Sequence, residues 1–255
     1  GVITNYSWDF NNDGTIDNTS ANPQFQYPNY GTYSVNLQVI SSFNCVNNSV
    51  NQILVYANPQ PSFSANSVCY GVTTTFTNQS SIPVGNISSY AWNLGNNQSY
   101  FNVSPSVLYN SGGTYTVQLT ATSNNNCNAY FTNTVVVHYL PISQFTTNSA
   151  CLNQTTVFNN SSSVTNAVIT KYFWDFDNNG VWDDTISINP SKTYLNYGNY
   201  NCKLQTVSNF NCSSNLTQQV KVHANPIANF TNNKTCLGDA TKFSNLSVSV
   251  DGLFS

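Results

Sequence analysis

Apolar and polar residues alternate along Tyr33-x-Val35-x-Leu37-x-Val39, and the pattern returns at Tyr115-x-Val117-x-Leu119-x-Ala121 and at Tyr200-x-Cys202-x-Leu204. A period of two is what a strand with one face on a core requires. Shorter apolar runs precede and follow each one: a strand at Phe63, one over 73–77, and closing strands at Ile53-x-Val55, 134–137 and Val220-Lys221-Val222. No segment carries an apolar stripe at 3.6-residue spacing. Short strands separated by Asn, Ser and Gly turns predict an all-β chain of antiparallel sandwiches.

The pattern repeats. Tyr6-Ser7-Trp8-Asp9-Phe10, Tyr90-Ala91-Trp92-Asn93-Leu94 and Tyr172-Phe173-Trp174-Asp175-Phe176 place tryptophans 84 and 82 residues apart. A period of that size marks a tandem array of small domains. Asn58-Pro59, Leu140-Pro141 and Asn225-Pro226 punctuate it, each before a short apolar strand, where proline removes no needed ladder donor. The expected units are 1–58 (partial), 59–140, 141–225 and 226–255 (partial). Gly1-Val2-Ile3-Thr4-Asn5-Tyr6 aligns with Ala167-Val168-Ile169-Thr170-Lys171-Tyr172, in mid-repeat, so the chain is expected to be a slice of a longer array.

Composition narrows the function classes. The 255 residues are 40% hydrophobic, 14% aromatic and only 6% charged, and Arg, Glu and Met are absent. So many aromatics with so little charge argues against disorder. Six scattered lysines and a net charge of −3 offer no basic stripe for nucleic acid. No run of 18 apolar residues occurs, so no transmembrane helix is expected.

Tyr-x-Trp-Asp-Phe, an acidic turn, Tyr, Gly-x-Tyr-x-Val-x-Leu and a closing Val-x-Val, in that order, resemble the polycystic-kidney-disease-type (PKD) domain. The resemblance implies tandem immunoglobulin-like sandwiches in an extended array, of a kind found in surface proteins and as accessory modules of secreted hydrolases. Cys69-Tyr70-Gly71 and Cys236-Leu237-Gly238 resemble the variant of bacterial surface and gliding-type adhesins. Trp8, Trp92 and Trp174 are the expected core anchors. Tyr33, Tyr115 and Tyr200, each after a Gly-x turn, are expected to form tyrosine corners against that core.

Six cysteines are periodic: Cys45, Cys127 and Cys212 share one position, and Cys69, Cys151 and Cys236 another. Disulfides and an oxidising compartment follow. In a sandwich the two positions of one repeat lie at opposite ends of a strand, roughly 30 Å apart, against the ~5.5–6 Å Cα separation a disulfide needs. The inter-domain pair Cys69–Cys212 is therefore favoured, with Cys69–Cys127 and Cys151–Cys212 as the within-repeat alternatives. Cys202, aligned with Val35 and Val117, reads as a buried free thiol.

Seven of the nine acids, all Asp, crowd two turns. Asp175, Asp177, Asn179, the Val181 carbonyl and Asp183 follow the alternate-position order of a calcium loop, as do Asp9, Asn11, Asp13, the Thr15 carbonyl and Asp17. Neither has a closing Glu, so calcium would bind weakly, and the competing reading is a polar hairpin bonded to its own backbone. The middle turn, with Asn93, Gly95 and Asn97, is expected to bind nothing. His138 and His223 share a position with no nearby acid and read as structural. No catalytic apparatus is expected, and no cofactor beyond calcium. Asn-x-Ser/Thr acceptors recur, at Asn78 and Asn159 among others.

The expected function is a non-enzymatic, extracellular stalk or filament segment of a surface adhesin. Its partners would be neighbouring repeats and extracellular glycans or cell-surface components. The alternative is an accessory module of a secreted hydrolase that uses Tyr100, Phe101 and Tyr130 to stack on substrate.

Overall fold

The computed structural model describes residues 1–249; residues 250–255 of the expected unit 226–255 lie outside the described residues. The alternating runs form three long strands, Gly31–Ser41, Gly113–Ser123 and Gly198–Ser208. Each pairs on one side with a tryptophan strand, Ile3–Asp9, Ile87–Asn93 or Ile169–Asp175, and on the other with a closing strand, Val46–Val55, Asn128–His138 or Ser213–His223. All of these pairings are antiparallel in the first and third repeats. Opposing three-stranded sheets are built from Phe63–Ala65, Thr74–Asn78 and Ser106–Val107, and from Phe145–Thr147, Thr155–Asn160 and Ser191–Thr193. A two-stranded hairpin, Phe230–Asn232 with Phe243–Asn245, ends the described chain. The fold is all-β and immunoglobulin-like. Among the described residues no helix is long and apolar enough to cross a membrane.

Two edges are parallel: Val68–Cys69 runs beside Val137–His138, and Ala150–Cys151 beside Val222–His223. Two-residue pairings this short leave no periodic signal in a sequence.

Contacts divide the chain into two compact units. One comprises residues 1–66, 73–108 and 114–135, the other 67–72, 109–113 and the chain from 136 onward. In the first, Trp92 is 1% exposed, with Phe63 and Phe76 at ring-centroid distances of 5.2 and 5.8 Å. Its indole N–H donates to the Asn102 carbonyl at 3.0 Å. A buried tryptophan removes ~150–250 Å² from water and needs such a partner for its one polar atom.

In the second unit Trp174 is fully buried, with Phe145 and Phe158 at 5.2 and 5.5 Å and its N–H on the Ser187 carbonyl. Cys202 belongs to this core. Its thiol contacts the Phe176 carbonyl at 2.9 Å and the Tyr194 hydroxyl at 3.2 Å, and burial pushes it up to about 11. A thiol held protonated there is inert.

The Trp8 N–H reaches the Ser20 carbonyl as in the other repeats, and the ring is half-buried. The first repeat has its three-stranded sheet but no second sheet opposite it among the described residues. Trp8, Phe10, Val35, Leu37 and Ile53 instead line an open apolar groove of about 350 Å³. The corner tyrosines are also half-buried, at the rim of the core. The Tyr33 and Tyr200 hydroxyls donate to the carbonyls of Asn29 and Asn196, at 3.0 and 2.9 Å.

Candidate functional site

The turn that carries each periodic cysteine is built the same way three times. In the third repeat the Asn211 N–H donates to the Ser208 carbonyl at 2.9 Å, and the Ser208 N–H to the Cys212 carbonyl at 2.8 Å. The Ser208 hydroxyl accepts from the N–H groups of Phe210 and Cys212. Asn211 sits at φ +59°, the left-handed conformation that asparagine tolerates. Ser41, Asn44 and Cys45 repeat the arrangement, and so do Ser123, Asn126 and Cys127. Each cysteine is thus presented at a hairpin tip.

The second cysteine position lies at the other end of a closing strand. Cys151 pairs with His223, the last residue of Ser213–His223, whereas Cys212 immediately precedes its first. Eleven residues at ~3.3 Å each separate the two positions, so neither Cys151–Cys212 nor its counterpart Cys69–Cys127 forms. Cys69 is instead bonded to Cys212, with Cα atoms 5.5 Å apart and a sequence separation of 143. The bridge ties the second repeat's parallel edge to the third repeat's hairpin tip.

Beside it, His138, opposite Cys69 in the pairing, stacks on Phe210 with ring centroids 3.7 Å apart and planes at 14°. Sequence reasoning missed this contact, because Phe210 aligns with Phe43 but with Asn125 in the middle repeat. The remaining periodic cysteines are free: Cys45 and Cys236 are exposed, Cys127 and Cys151 partly so.

The aspartate turns form a separate feature. The buried Asp175 carboxylate accepts the N–H groups of Asn179 and Gly180, at 3.1 and 2.9 Å. Burial alone would raise its pKa, but these donors outweigh it and hold the carboxyl below the usual range. Asp183 accepts the Phe176 N–H at 2.8 Å, Asp177 accepts that of Asn179, and Asn179 that of Val181. Oxygens of Asp175, Asp177 and Asp183 converge to within 4.8 Å of one another. Lys192 reaches the Asp183 carboxylate at 3.4 Å.

In the first turn Asp9 accepts from Asp13 and Gly14, and Asp17 from Phe10. Asp13 accepts the Thr15 N–H and takes the Asn11 amide as a second donor. Asn11 stands where the third repeat has Asp177, and among the described residues Asp9, Asp13 and Asp17 form no such group. In the middle turn Asn93 accepts the Gly95 N–H. Phe101 and Tyr130 are exposed, while the Tyr100 hydroxyl is engaged by Asn96 and Gln98.

Comparison with protein families matches the chain to the PKD domain three times in succession, over residues 1–55, 56–139 and 140–224. Among solved structures, the PKD1 domain of Vibrio anguillarum Epp is 31% identical, with 31% of this chain and 93% of that one covered and a TM-score of 0.30. The PKD1 domain of the Vibrio cholerae metalloprotease PrtV is 26% identical over 32% of this chain and 98% of that one, with a TM-score of 0.28. The three N-terminal domains of the bacteriophage RB49 outer capsid protein Hoc are 14% identical over 87% and 88%, with a TM-score of 0.46.

Proposed function

The chain belongs to the PKD domain family, three members in tandem, and we propose that it is a load-bearing, non-catalytic segment of an extracellular stalk or filament on a cell surface. Domains of this kind suit a structural or adhesive role. The observation that carries the reading is the Cys69–Cys212 bridge. It joins successive repeats rather than the two sheets of one, which limits bending and is of no use to a free-standing binding module. A disulfide also suits an oxidising, extracellular setting. The surface is poor in charge, so its contacts would respond little to salt.

An antibody raised against the chain tests this on intact producing cells. Labelling that survives washing and is removed by added protease is the expected result. Labelling seen only after lysis overturns the reading. Recovery of the epitope in the medium, on a polypeptide that degrades polysaccharide or protein, replaces it with the hydrolase-accessory role.

A weak calcium clasp in the third repeat is a second reading, favoured by the convergence of Asp175, Asp177 and Asp183. Hard carboxylate oxygens suit that cation. Each already accepts an N–H, so a bound ion would take the remaining lone pairs and displace Lys192 from Asp183.

A further inference from the structure

The six lysines look scattered in the sequence, yet folding brings three of them to one surface. The third repeat's four-stranded sheet turns Cys202, Leu204, Val220 and Val222 into the core, so the residues that alternate with them face solvent. That outer face carries Lys171 on Ile169–Asp175, Lys203 on Gly198–Ser208 and Lys221 on Ser213–His223. Lys171 is paired opposite Val207, Lys203 opposite Thr217, and Lys221 opposite Asn199. Each step from one lysine to the next is four residues along and one strand across. At ~3.3 Å per residue and ~4.8 Å between strands, that is roughly 14 Å. The three ammonium groups thus follow one diagonal line across the sheet.

Two aromatic rings adjoin the line. Phe173 is paired opposite Gln205 on the outer face, and Trp182 packs on it with ring centroids 5.6 Å apart. The Lys203 Nζ lies 5.2 Å from the Trp182 ring centroid. Both rings are partly exposed. Trp182 is the one tryptophan outside the repeat pattern, standing where the first repeat has Ile16.

The sandwich itself does not require this face. In the first repeat Asn5, Asn36 and Leu54 occupy the lysine positions, and in the second Ser89, Gln118 and Val136; Ser7 and Ala91 replace Phe173. The same strands form there without them. The acids beside Trp182 are already engaged: Asp175 and Asp177 accept backbone N–H groups, and Asp183 is paired with Lys192. Lys171, Lys203 and Lys221 have no such claim on them from the aspartate turn, and they make this face the exception on a surface otherwise poor in charge.

We propose that the outer face of the third repeat's four-stranded sheet binds an acidic polysaccharide, a polyuronate, along the Lys171–Lys203–Lys221 line. Sugar C–H groups would lie on Phe173 and Trp182, whose ring faces carry the negative part of the aromatic quadrupole. Uronate carboxylates would meet the lysines. The spacing decides the class of partner. Duplex nucleic acid carries a charge every ~1.7 Å and rewards dense cations, and anionic lipid is held by clusters of about 4–8 of them. Three cations ~14 Å apart, flanked by rings and by outward Gln205, Asn215 and Thr217, suit a chain whose charges are separated by sugar. The proposal rests on the adhesive side of the stalk reading and names its ligand.

The test is calorimetric titration of the 255-residue chain with polygalacturonate at low salt, with EDTA present so that no calcium bridges the carboxylates. Binding that weakens as salt is added is expected, and the methyl-esterified polymer, which keeps the sugars and loses the charge, should bind roughly tenfold more weakly. Combined Lys171→Gln, Lys203→Gln and Lys221→Gln changes should weaken binding to the same extent at an unchanged melting temperature. Combined Lys234→Gln and Lys242→Gln changes, which remove charge elsewhere, should leave it intact. Trp182→Ala should weaken binding and Trp182→Phe restore part of it. No binding of polygalacturonate overturns the proposal, as does equal binding of the methyl ester or an equal loss from the Lys234 and Lys242 changes. Tighter binding to duplex DNA or to phosphatidylserine vesicles overturns it in favour of that partner. A failed titration leaves the cell-surface location standing, and an intracellular location leaves the polyuronate site standing.

Discussion

Reduction of Cys69–Cys212 should change how far the chain extends under load by an amount the topology fixes. With the bridge intact, force applied at the two ends passes through the S–S bond and bypasses residues 70–211 between the cysteines. Those residues contain Trp92 and Trp174, the centres of both complete sandwiches. Only 113 of the 255 residues, 1–69 and 212–255, can then be pulled straight, roughly 370–410 Å at ~3.3–3.6 Å per residue. Cys69→Ser, or reductant in the chamber, should add a further ~470–510 Å of contour length. Chain-entropy arithmetic for a loop of this size gives a stabilisation of about 5 kcal/mol. Sites of unfolding should therefore shift as well as total extension. Single-molecule stretching between tags at the two ends measures both. Full extension of the oxidised wild-type chain, or identical step sizes with and without reductant, would refute the topology and the mechanical role built on it.

Three further outcomes follow from the geometry. Trp174→Ala should destabilise the third repeat by about 3–5 kcal/mol in urea denaturation. A loss below about 1 kcal/mol would contradict the full burial of Trp174. Asp175 and Asp184 have pKa values held below the usual carboxylate range: burial opposes this, but the N–H donors of Gly180 and Asn179, and of Ser187 and Ile186, outweigh it. Their contribution is full above the unfolded value near ~3.9 and is lost as pH falls through the lower folded values. Asp175→Asn should cost about 1–3 kcal/mol at neutral pH and shrink the acid loss seen by fluorescence, and an unchanged acid limb would count against it. Calcium titration of the whole chain should give a single weak heat, with Kd on the order of 10⁻⁴–10⁻³ M, that Asp177→Asn abolishes and Lys192→Ala strengthens. A heat indifferent to both changes would place the ion elsewhere.

What was legible in the sequence was whatever recurred. Trp92 and Trp174 with their paired phenylalanines return at constant spacing because every complete sandwich needs the same anchor, and the long strands announce themselves by alternation. Features that belong to one junction were hidden. His138 on Phe210 depends on a ring that the middle repeat replaces with Asn125. The two aspartate turns share an alternate-position order, yet among the described residues it is the third repeat's, with Asp177 where the first has Asn11, that brings three carboxylates together. In the first, the Asn11 amide turns its nitrogen onto Asp13.

The span of the Cys69–Cys212 bridge also decides what a single cut does. A peptide bond hydrolysed anywhere between those residues leaves two pieces still held by sulfur, so a nick does not part the chain. Lys171, Lys192 and Lys203, half of all its lysines, fall inside that span. Between Cys69 and Cys212 the chain's continuity thus rests on an S–S bond as well as on the backbone.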